Sequence, residues 1–257
     1  MPLNVPIRDW RGKRVWIVGA SSGIGAALAE RLAARGARLA LSARSAERLE
    51  ALAAQLPGAL VIPMDVTHAA AHQAAVDAIC AAWGGVDVVV FNAGTYRPLR
   101  AWDLTSAIAR ETLETNLLGV FDGLAAVLPK MLTDRSGAVV LVGSVAGYGG
   151  LPNALVYGPS KAALINLAEC LHLDLAARGI SVFLVNPGFV ATALTAQNDF
   201  HMPALIQPGE AAQRILTGLS RGEFEIHFPK RFTRLLKVLR FLPRRAYFWV
   251  VRRATGS

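Results

Sequence analysis

The chain alternates short apolar runs with longer segments that carry Ala and Leu at helical spacing. The apolar runs have the length of buried strands, and the longer segments have one polar face, as amphipathic helices do. Strands are predicted at 15–18, 37–42, 59–63, 86–91, 137–143 and 180–185. Helices are predicted at 24–35, 46–56, 68–83, near 105–130 and at 155–178. This alternation predicts an α/β fold with a doubly wound parallel sheet and helices on both faces.

Length and composition agree with one large α/β domain, which we expect to span residues 1–227. Of the 257 residues, 53% are hydrophobic, enough to cover both faces of a sheet. The two cysteines, Cys80 and Cys170, indicate a reducing compartment, and we expect both thiols in the core. No charged-then-apolar leader and no run of 18 apolar residues is present. We therefore expect a cytoplasmic protein without a spanning helix.

The net positive charge is confined to the last thirty residues. The chain has 27 Lys and Arg against 18 Asp and Glu, a formal net charge of +9. Residues 228–257 contain no acidic residue, and their basic residues account for the whole excess: Lys230, Arg231, Arg234, Lys237, Arg240, Arg244, Arg245, Arg252 and Arg253. Apolar residues recur among them at helical spacing: Phe232, Leu235, Leu236, Leu239 and Leu242. Pro243 ends this pattern, and the aromatic strip 247–251 follows. Residues 228–257 are therefore predicted to form a basic amphipathic helical tail.

Three partners suit a tail of this kind. A basic amphipathic helix with aromatic neighbours fits an anionic membrane surface, which would place the protein at the cytoplasmic face of a membrane. The apolar face also fits the protein's own domain or another subunit. Nucleic acid is the least favoured partner, because no nucleic-acid-binding fold motif accompanies the charge.

A glycine-rich turn links the first predicted strand to the first predicted helix. It reads Gly19-Ala20-Ser21-Ser22-Gly23-Ile24-Gly25. In this context Gly19 permits the tight turn, Gly23 lets the backbone approach phosphates, and Gly25 allows close packing. The helix N-terminus adds amide donors for an anion. The turn therefore predicts a dinucleotide site, although its spacing differs from Gly-x-Gly-x-x-Gly.

The end of the second predicted strand indicates which dinucleotide is bound. NAD sites place an acidic residue near this point to bind the ribose 2′-hydroxyl, whereas an arginine accommodates the 2′-phosphate of NADP. The chain has Ala43 followed by Arg44. NADP(H) is therefore the predicted cofactor. The alternative is that Arg44 simply begins the next helix.

A second motif places chemistry far along the chain. Tyr157 and Lys161 are four residues apart on a predicted helix and so share a face. A nearby cation lowers the pKa of a phenol, which would make Tyr157 a proton donor near neutral pH. Ser144 follows the strand 137–143 and offers a hydroxyl to a carbonyl oxygen. The alternative is a surface tyrosine beside a solvated lysine.

The two motifs together resemble the short-chain dehydrogenase/reductase family, over about residues 11–226. Further motifs stand in the family's order: Asp65, Asn92-Ala93-Gly94, Asn116 and Asn186-Pro187-Gly188. The resemblance implies a Rossmann-type sheet and transfer of hydride between a nicotinamide and a carbonyl or alcohol substrate. It also implies a homo-oligomer, either a dimer or a tetramer.

The resemblance also implies roles for particular residues. Tyr157 is the general acid, Lys161 lowers its pKa and holds the nicotinamide ribose, and Ser144 orients the carbonyl. Asn116 anchors a water that relays protons to Lys161. Gly188 and residues 190–201, ending at His201, form the substrate side. The implied cofactor-binding residues are Gly19, Ser21, Ser22, Gly23, Ile24, Gly25, Arg44, Asp65, Val66, Asn92, Ala93, Gly94, Tyr157, Lys161, Pro187, Gly188, Val190 and Thr192.

We therefore expect an NADP(H)-dependent oxidoreductase, and the apolar tail favours a hydrophobic or lipid-like substrate. One alternative is a soluble 3-oxoacyl-thioester reductase whose tail serves assembly. Another is a non-catalytic dinucleotide-binding scaffold. Tyr148 is not expected to be the acid, because Pro152 stands where a lysine is needed. No metal site is expected: His68 and His72 have ligand spacing, but without a third ligand we expect an exposed helix face.

Overall fold

The sheet consists of parallel strands, seven of them within the described residues, 2–198 and 202–256 of this computed structural model. They are β1 (Arg14–Val18), β2 (Arg38–Ser42), β3 (Leu60–Val61), β4 (Val88–Phe91), β5 (Gly137–Val142), β6 (Ile180–Pro187) and β7 (Glu225–Phe228). Their order is β3-β2-β1-β4-β5-β6-β7, and every pair is parallel. The predicted doubly wound sheet is confirmed. Strand β7 was not predicted.

The helices follow the predicted alternation with strands, except that one helix before the tail was not predicted and one predicted helix is divided in two. They are α1 (Gly23–Ala33), α2 (Ala46–Ala53), α3 (Ala69–Trp83), α4 (Ser106–Leu113), α5 (Gly119–Asp134), α6 (Tyr157–Leu175), α7 (Pro208–Arg221), α8 (Lys230–Leu239) and α9 (Arg244–Thr255). Helix α7 was not predicted. The helix predicted near 105–130 is α4 and α5 joined by a π-helical turn, Glu114–Leu118. Such turns occur often at functional sites.

The core lies in two layers, one on each face of the sheet. Helices α1, α2 and α7 cover one face with residues such as Leu28, Leu49 and Ile215. Helices α3, α5 and α6 cover the other with residues such as Ile79 and Leu164. The helical stretch Ser106–Asp134 is long and apolar enough to cross a bilayer by length and composition alone. Much of α5 within this stretch belongs to the second core layer, as expected for a core helix.

Two predictions about individual side chains are wrong. His72 does not lie on an exposed helix face: it is fully buried, and its Nε2 lies 2.9 Å from the Val66 carbonyl. His68 is exposed and precedes α3, because the helix begins only at Ala69. Cys170 is exposed rather than in the core, while Cys80 is half-buried. Among the described residues, no group of three His, Cys, Asp or Glu side chains is placed to hold a metal ion.

The tail forms two helices, of which α8 matches the predicted amphipathic helix and α9, which carries the aromatic strip, was not predicted as a helix. The inner face of the tail packs on the domain. Lys237 Nζ lies 2.5 Å from Glu225 Oε2, and the Tyr247 hydroxyl donates to the Gly150 carbonyl at 2.8 Å. The fully buried Thr233 hydroxyl lies 2.5 Å from His227 Nδ1. The proposed boundary between residues 227 and 228 falls inside β7. The tail is therefore bound to the sheet edge through specific polar contacts.

The opposite side of the two tail helices remains exposed. It carries four large apolar side chains, which we call the outer tail face: Leu235, Val238, Phe241 and Trp249. Of the predicted apolar stripe, Leu235 lies on this outer face, whereas Leu236 is half-buried against the domain. Exposed arginines surround the outer tail face: Arg231, Arg234, Arg240, Arg244, Arg245, Arg252 and Arg253.

Replacing Thr233 with Val should destabilise the protein by roughly 1–3 kcal/mol, because His227 Nδ1 loses its hydroxyl partner in a buried site. Burial lowers the His227 pKa to about 4, so the ring is neutral at pH 7. Protonation of the ring therefore does not compensate for the lost hydrogen bond at this pH. Urea denaturation measures the free energy of unfolding. Thr255→Val on the exposed end of α9 is the matched control and should change it by about 0.5 kcal/mol or less. Equal effects of the two substitutions would contradict the packing of the tail.

Candidate active site

The residues that sequence analysis singled out collect at one edge of the sheet. Gly19, Asn92 and Ser144 follow the carboxyl ends of β1, β4 and β5, while Arg44 follows β2 and Gly188 follows β6. Strands β1 and β4 are neighbours although they are not consecutive, so the sheet changes direction between them. Open α/β sheets bind their ligands at this kind of switch point, beyond the carboxyl ends of the strands.

The glycine-rich turn needs its first and third glycines for packing. Gly19 has φ +91°, and a Cβ there would lie 2.5 Å from the Ala93 nitrogen. A Cβ on Gly25 would overlap the Gly19 carbonyl and lie 2.7 Å from Asn92 Nδ2. Asn92 Nδ2 donates to the Gly19 carbonyl at 2.7 Å. The turn after β1 and the turn after β4 are therefore locked together, with no room for a side chain between them.

The start of α1 keeps its donors available for an anion. Gly23 opens the helix with φ +58°, and Thr192 from the loop after β6 comes within 3.0 Å of the place where a Cβ would stand. Ser22 occupies the N-cap position but makes no side-chain cap hydrogen bond, and the first turn has no acidic residue. Unfilled amide donors and a positive dipole end suit a pyrophosphate. The glycine turn therefore fits a dinucleotide.

Arg44 lies outside the helix that follows it. Ser45 is the N-cap of α2 and accepts from the Arg48 nitrogen, so the alternative that Arg44 simply begins a helix does not hold. Arg44 is exposed at the carboxyl end of β2. The pKa of Asp65 is lowered, first by a hydrogen bond from the Thr67 nitrogen and further by the charge of Arg44. Arg44 and Asp65 therefore border the same end of the cleft.

Tyr157 and Ser144 come together where α6 meets β5. Tyr157 begins α6, and Ser144 follows β5, where its hydroxyl also accepts from the Ala146 nitrogen at 3.1 Å. Burial raises the pKa of Tyr157 to about 12, a hydrogen bond with Ser144 works in the opposite direction, and Tyr96 adds to the rise. The phenol is therefore protonated at neutral pH.

Lys161 is buried beneath this pair. Its ammonium donates to the Val142 carbonyl at 2.9 Å and lies 5.7 Å from the centre of the Tyr157 ring. Burial lowers its pKa to about 8. Burial has the largest effect on the Tyr157 pKa, and the expected lowering of that pKa by Lys161 stays a prediction. The Lys161 ammonium is bonded to the Val142 carbonyl, and Lys161 is not among the groups that shift the Tyr157 pKa.

Asn116 connects the loop after β4 to α6. It is fully buried and lies on the π-helical turn. Its Oδ1 accepts from the Thr95 nitrogen at 2.7 Å, and its Nδ2 donates to the Thr95 carbonyl at 2.9 Å. Its Nδ2 also lies 3.2 Å from Ser160 Oγ. A Cβ on Gly94 would stand 3.3 Å from Asn116 Oδ1 and 3.6 Å from Lys161 Nζ. Asn116 therefore positions the surroundings of Lys161, and the proton-relay water remains a prediction.

Sequence analysis missed Tyr96. Its ring packs edge-on against Tyr157 with the ring centres 4.9 Å apart, and its hydroxyl lies 3.0 Å from Asn198 Oδ1. Tyr96 thereby joins the loop after β4 to the loop after β6, which was predicted to form the substrate side. Its position just beyond Asn92-Ala93-Gly94 was the available signal. Residues 199–201, including His201 of the predicted segment, lie outside the described residues.

The remaining predicted residues take different positions. Val66 and Val190 are buried, so only their backbone groups can face a ligand. The Gly188 nitrogen donates to the Phe228 carbonyl at 2.7 Å, which ties the end of β6 to β7. Pro187 is buried within β6. Ser21, Ile24, Ala93 and Thr192 border the glycine-rich turn and are half-buried.

Tyr148 is held away from the reacting groups. Its hydroxyl donates to Glu225 Oε1 at 2.5 Å, and burial followed by this carboxylate raises its pKa. Glu225, which sequence analysis also missed, accepts in addition from Asn186 Nδ2 at 2.9 Å and from Lys237. The prediction that Tyr148 is not the acid agrees with this geometry.

Known sequences that are similar to this chain are oxidoreductases. A profile for short chain dehydrogenase matches residues 13–202. An uncharacterized oxidoreductase of Myxococcus xanthus (strain DK1622) is 40% identical over 230 residues, which are 87% of this chain and 91% of that protein. The 3-oxoacyl-(acyl-carrier-protein) reductase FabG of Escherichia coli (strain K12) is 36% identical over 188 residues, 73% of this chain and 77% of the reductase.

Solved structures agree with the fold. A short chain dehydrogenase/reductase from Burkholderia phymatum in complex with NAD superposes with a TM-score of 0.82 at 24% identity, over 90% of this chain and 94% of its own. A short-chain dehydrogenase from Streptomyces avermitilis gives a TM-score of 0.78 at 26% identity, over 95% and 96%. Fold, profile and relatives agree, and the chain belongs to the short-chain dehydrogenase/reductase family of oxidoreductases.

Proposed function

We propose that this protein is an NADP(H)-dependent reductase of carbonyl compounds. The observation that carries the proposal is the Ser144–Tyr157 hydroxyl pair, set beside Lys161 at the carboxyl edge of the sheet. The family's chemistry needs one hydroxyl to orient a carbonyl oxygen and another to protonate it. A non-catalytic scaffold has no need for a buried, protonated phenol in this position.

The residues divide the work of reduction between them. When bound, the nicotinamide supplies the hydride. Ser144 donates a hydrogen bond to the carbonyl oxygen, and Tyr157 gives its proton to the same oxygen as negative charge develops there. A phenol with a pKa of about 12 holds its proton at pH 7 but yields it to the more basic alkoxide. In the reverse direction, oxidation of an alcohol, the Tyr157 phenolate would accept the proton.

Lys161 and Asn116 support the pair without touching the carbonyl. Lys161 sets the distance between α6 and the end of β5 through its bond to the Val142 carbonyl. Asn116 holds Thr95 and Ser160, and thereby the loop beside Tyr157. Lys161 also holds the ribose in this proposal, which the position of its ammonium beside Gly94 supports.

NADP(H) is favoured over NAD(H) by the charge at the end of β2. Arg44 is exposed there and offers a planar donor group suited to a 2′-phosphate. The acidic side chain that would bind a free 2′-hydroxyl is absent from positions 43 and 44. The Burkholderia phymatum protein that binds NAD is only 24% identical to this chain. At that identity the comparison shows a shared fold and does not transfer the choice of cofactor.

The substrate class is the finer part of the proposal. The relative from Escherichia coli acts on 3-oxoacyl groups carried by a protein, which makes a 3-oxoacyl thioester a candidate here. The tail favours a hydrophobic carbonyl compound, because its apolar outer face and its arginines suit a lipid surface. We propose a hydrophobic carbonyl substrate, with the thioester as the alternative, and a homodimer or homotetramer as the assembly.

Replacing Tyr157 with Phe should lower turnover by on the order of 10² or more while NADPH still binds, because only the proton donor is lost. Turnover of NADPH with a panel of small ketones and aldehydes measures this, and fluorescence titration measures binding. Tyr148→Phe is the matched control: it removes a buried phenol that bonds Glu225, so the loss of turnover should be far smaller. Near wild-type turnover in Tyr157→Phe would reject the proposed acid.

Replacing Arg44 with Ala should weaken NADPH binding by roughly 1.5–3 kcal/mol, the range for a hydrogen bond to a charged group. NADH binding should change much less, because NADH has no 2′-phosphate. Titration of both dinucleotides gives the two dissociation constants. Arg48→Ala, one turn into α2, should leave both nearly unchanged. An equal loss for NADH and NADPH would reject Arg44 as the selector.

The outer tail face should bind anionic vesicles, with each nearby basic residue contributing about 1 kcal/mol. Vesicle sedimentation should show more bound protein with anionic than with neutral lipid, and less at high salt. Leu235→Gln combined with Trp249→Gln should reduce binding. Leu173→Gln combined with Trp102→Gln removes a more exposed leucine and tryptophan that lie outside the tail, and should leave vesicle binding unchanged. If neither pair alters vesicle binding, or no binding occurs, the tail has no membrane role.

A further inference from the structure

The C-terminal helix closes one side of an open cavity that lies next to the catalytic residues but does not include them. The cavity has a volume of about 710 Å³. Its walls are the loop 146–155, one face of α6, and α9. Its volume falls within the 300–1,000 Å³ that small-molecule sites typically have.

The cavity faces a different side of α6 from the catalytic pair. Gly158, Pro159 and Ala162 line it, whereas Tyr157 and Lys161 do not. At 3.6 residues per turn, these two sets of residues lie on different faces of the helix. Ser144 also does not line the cavity, although Ala146 does. The cavity is therefore a separate space behind the catalytic loop.

The wall that α9 provides is fixed in place. The Tyr247 hydroxyl donates to the Gly150 carbonyl at 2.8 Å, and a Cβ on Gly149 would lie 2.6 Å from that hydroxyl. Only glycine at position 149 lets α9 approach this closely. Val251 is buried against the loop. The opposite rim is held by the Leu99 nitrogen, which donates to the Asn153 carbonyl at 3.1 Å.

The lining combines an apolar surface with two cations. Leu151, Leu155 and Phe248 provide apolar walls, and Arg100 and Arg252 are the two cationic residues of the lining. Among the described residues that line the cavity, none is acidic. Two uncompensated guanidinium groups above an apolar surface complement an anionic group joined to an apolar chain, because arginine binds carboxylates and phosphates in a bidentate manner.

We propose that this cavity binds an amphipathic anion, an alkyl chain that ends in a carboxylate or a phosphate. The chain lies on Leu151, Leu155 and Phe248, and the anionic end pairs with Arg100 and Arg252. The site is distinct from the dinucleotide cleft, and ligand binding there requires neither cofactor nor turnover. Failure of the proposed reductase activity would therefore leave this inference untouched.

Calorimetric titration tests the site directly with alkanoates and alkyl phosphates of eight to twelve carbons, kept below their micelle concentrations. Each added methylene that is buried should tighten binding about fourfold. The two head groups, compared at equal chain length, identify which anion the site prefers. Arg252→Gln should weaken binding by on the order of tenfold or more, the loss expected for a charged hydrogen bond.

Arg253→Gln is the matched control, because Arg253 is the adjacent exposed arginine on α9 and does not line the cavity. It should bind as the unmodified protein does. Gly150→Leu fills the cavity, since a Cβ at that position meets open space, and should remove the dependence on chain length. Thermal unfolding shows that each variant is folded.

Three results would overturn the proposal. One is the absence of saturable binding at every chain length, and another is an equal loss in Arg252→Gln and Arg253→Gln, which would reflect general charge. The third is that a second copy of this chain covers the cavity. Sedimentation would then show a dimer that Ala162→Arg dissociates, and the dimer would bind no alkyl anion.

Discussion

One buried hydrogen bond, from the Lys161 ammonium to the Val142 carbonyl, sets the distance between α6 and the carboxyl end of β5. Lys161 is almost fully buried, and a buried charge is unfavourable unless it is hydrogen-bonded. The Val142 carbonyl at the end of β5 provides that hydrogen bond. Because Tyr157 stands one turn earlier on α6 and Ser144 follows β5, this bond brings their hydroxyls together. The loss of that bond would leave a buried cation unpaired and separate the two hydroxyls that we propose act on the carbonyl.

A second polar junction connects the tail to the same region. Glu225 on β7 accepts from Tyr148, which lies just beyond Ser144, from Asn186 at the end of β6, and from Lys237 on α8. Hydrogen bonds from all three partners hold the pKa of Glu225 down although its burial opposes this. The tail is therefore coupled to the catalytic loop by a single carboxylate. A truncation after residue 228 would disturb the loop as well as remove a surface for partners.

Sequence reasoning worked where the local rule and the fold point to the same structure. The strand–glycine–helix pattern at Gly19 to Gly25 requires positive φ and close packing, and both are observed. Sequence reasoning was less informative where the surroundings of a side chain depend on segments that are distant in the chain. Burial of Tyr157, and the turning of Lys161 toward Val142, depend on how α6 meets β5, and the i, i+4 spacing carries no information about that.

The same limit applies to Tyr96, Glu225 and the tail. Tyr96 meets Asn198 across two loops, and Glu225 gathers three partners from distant segments, so neither has a sequence signature. The helical spacing of apolar residues in the tail correctly predicted α8, whereas α9 was not predicted as a helix. However, the choice of inner and outer face depended on β7, which was not predicted, and Leu235 and Leu236 therefore take opposite roles.

The transfer of hydrogen from a labelled cofactor tests the central claim most directly, because the proposed geometry exists to deliver hydride and a proton to one carbonyl. The protein would be incubated with NADPH that carries deuterium at the reactive position of the nicotinamide, together with a hydrophobic ketone, and the product analysed by mass spectrometry. The account predicts an alcohol with one deuterium on the former carbonyl carbon and one NADP⁺ formed for each alcohol. NADPH that binds but transfers no deuterium to any carbonyl compound tested would contradict it.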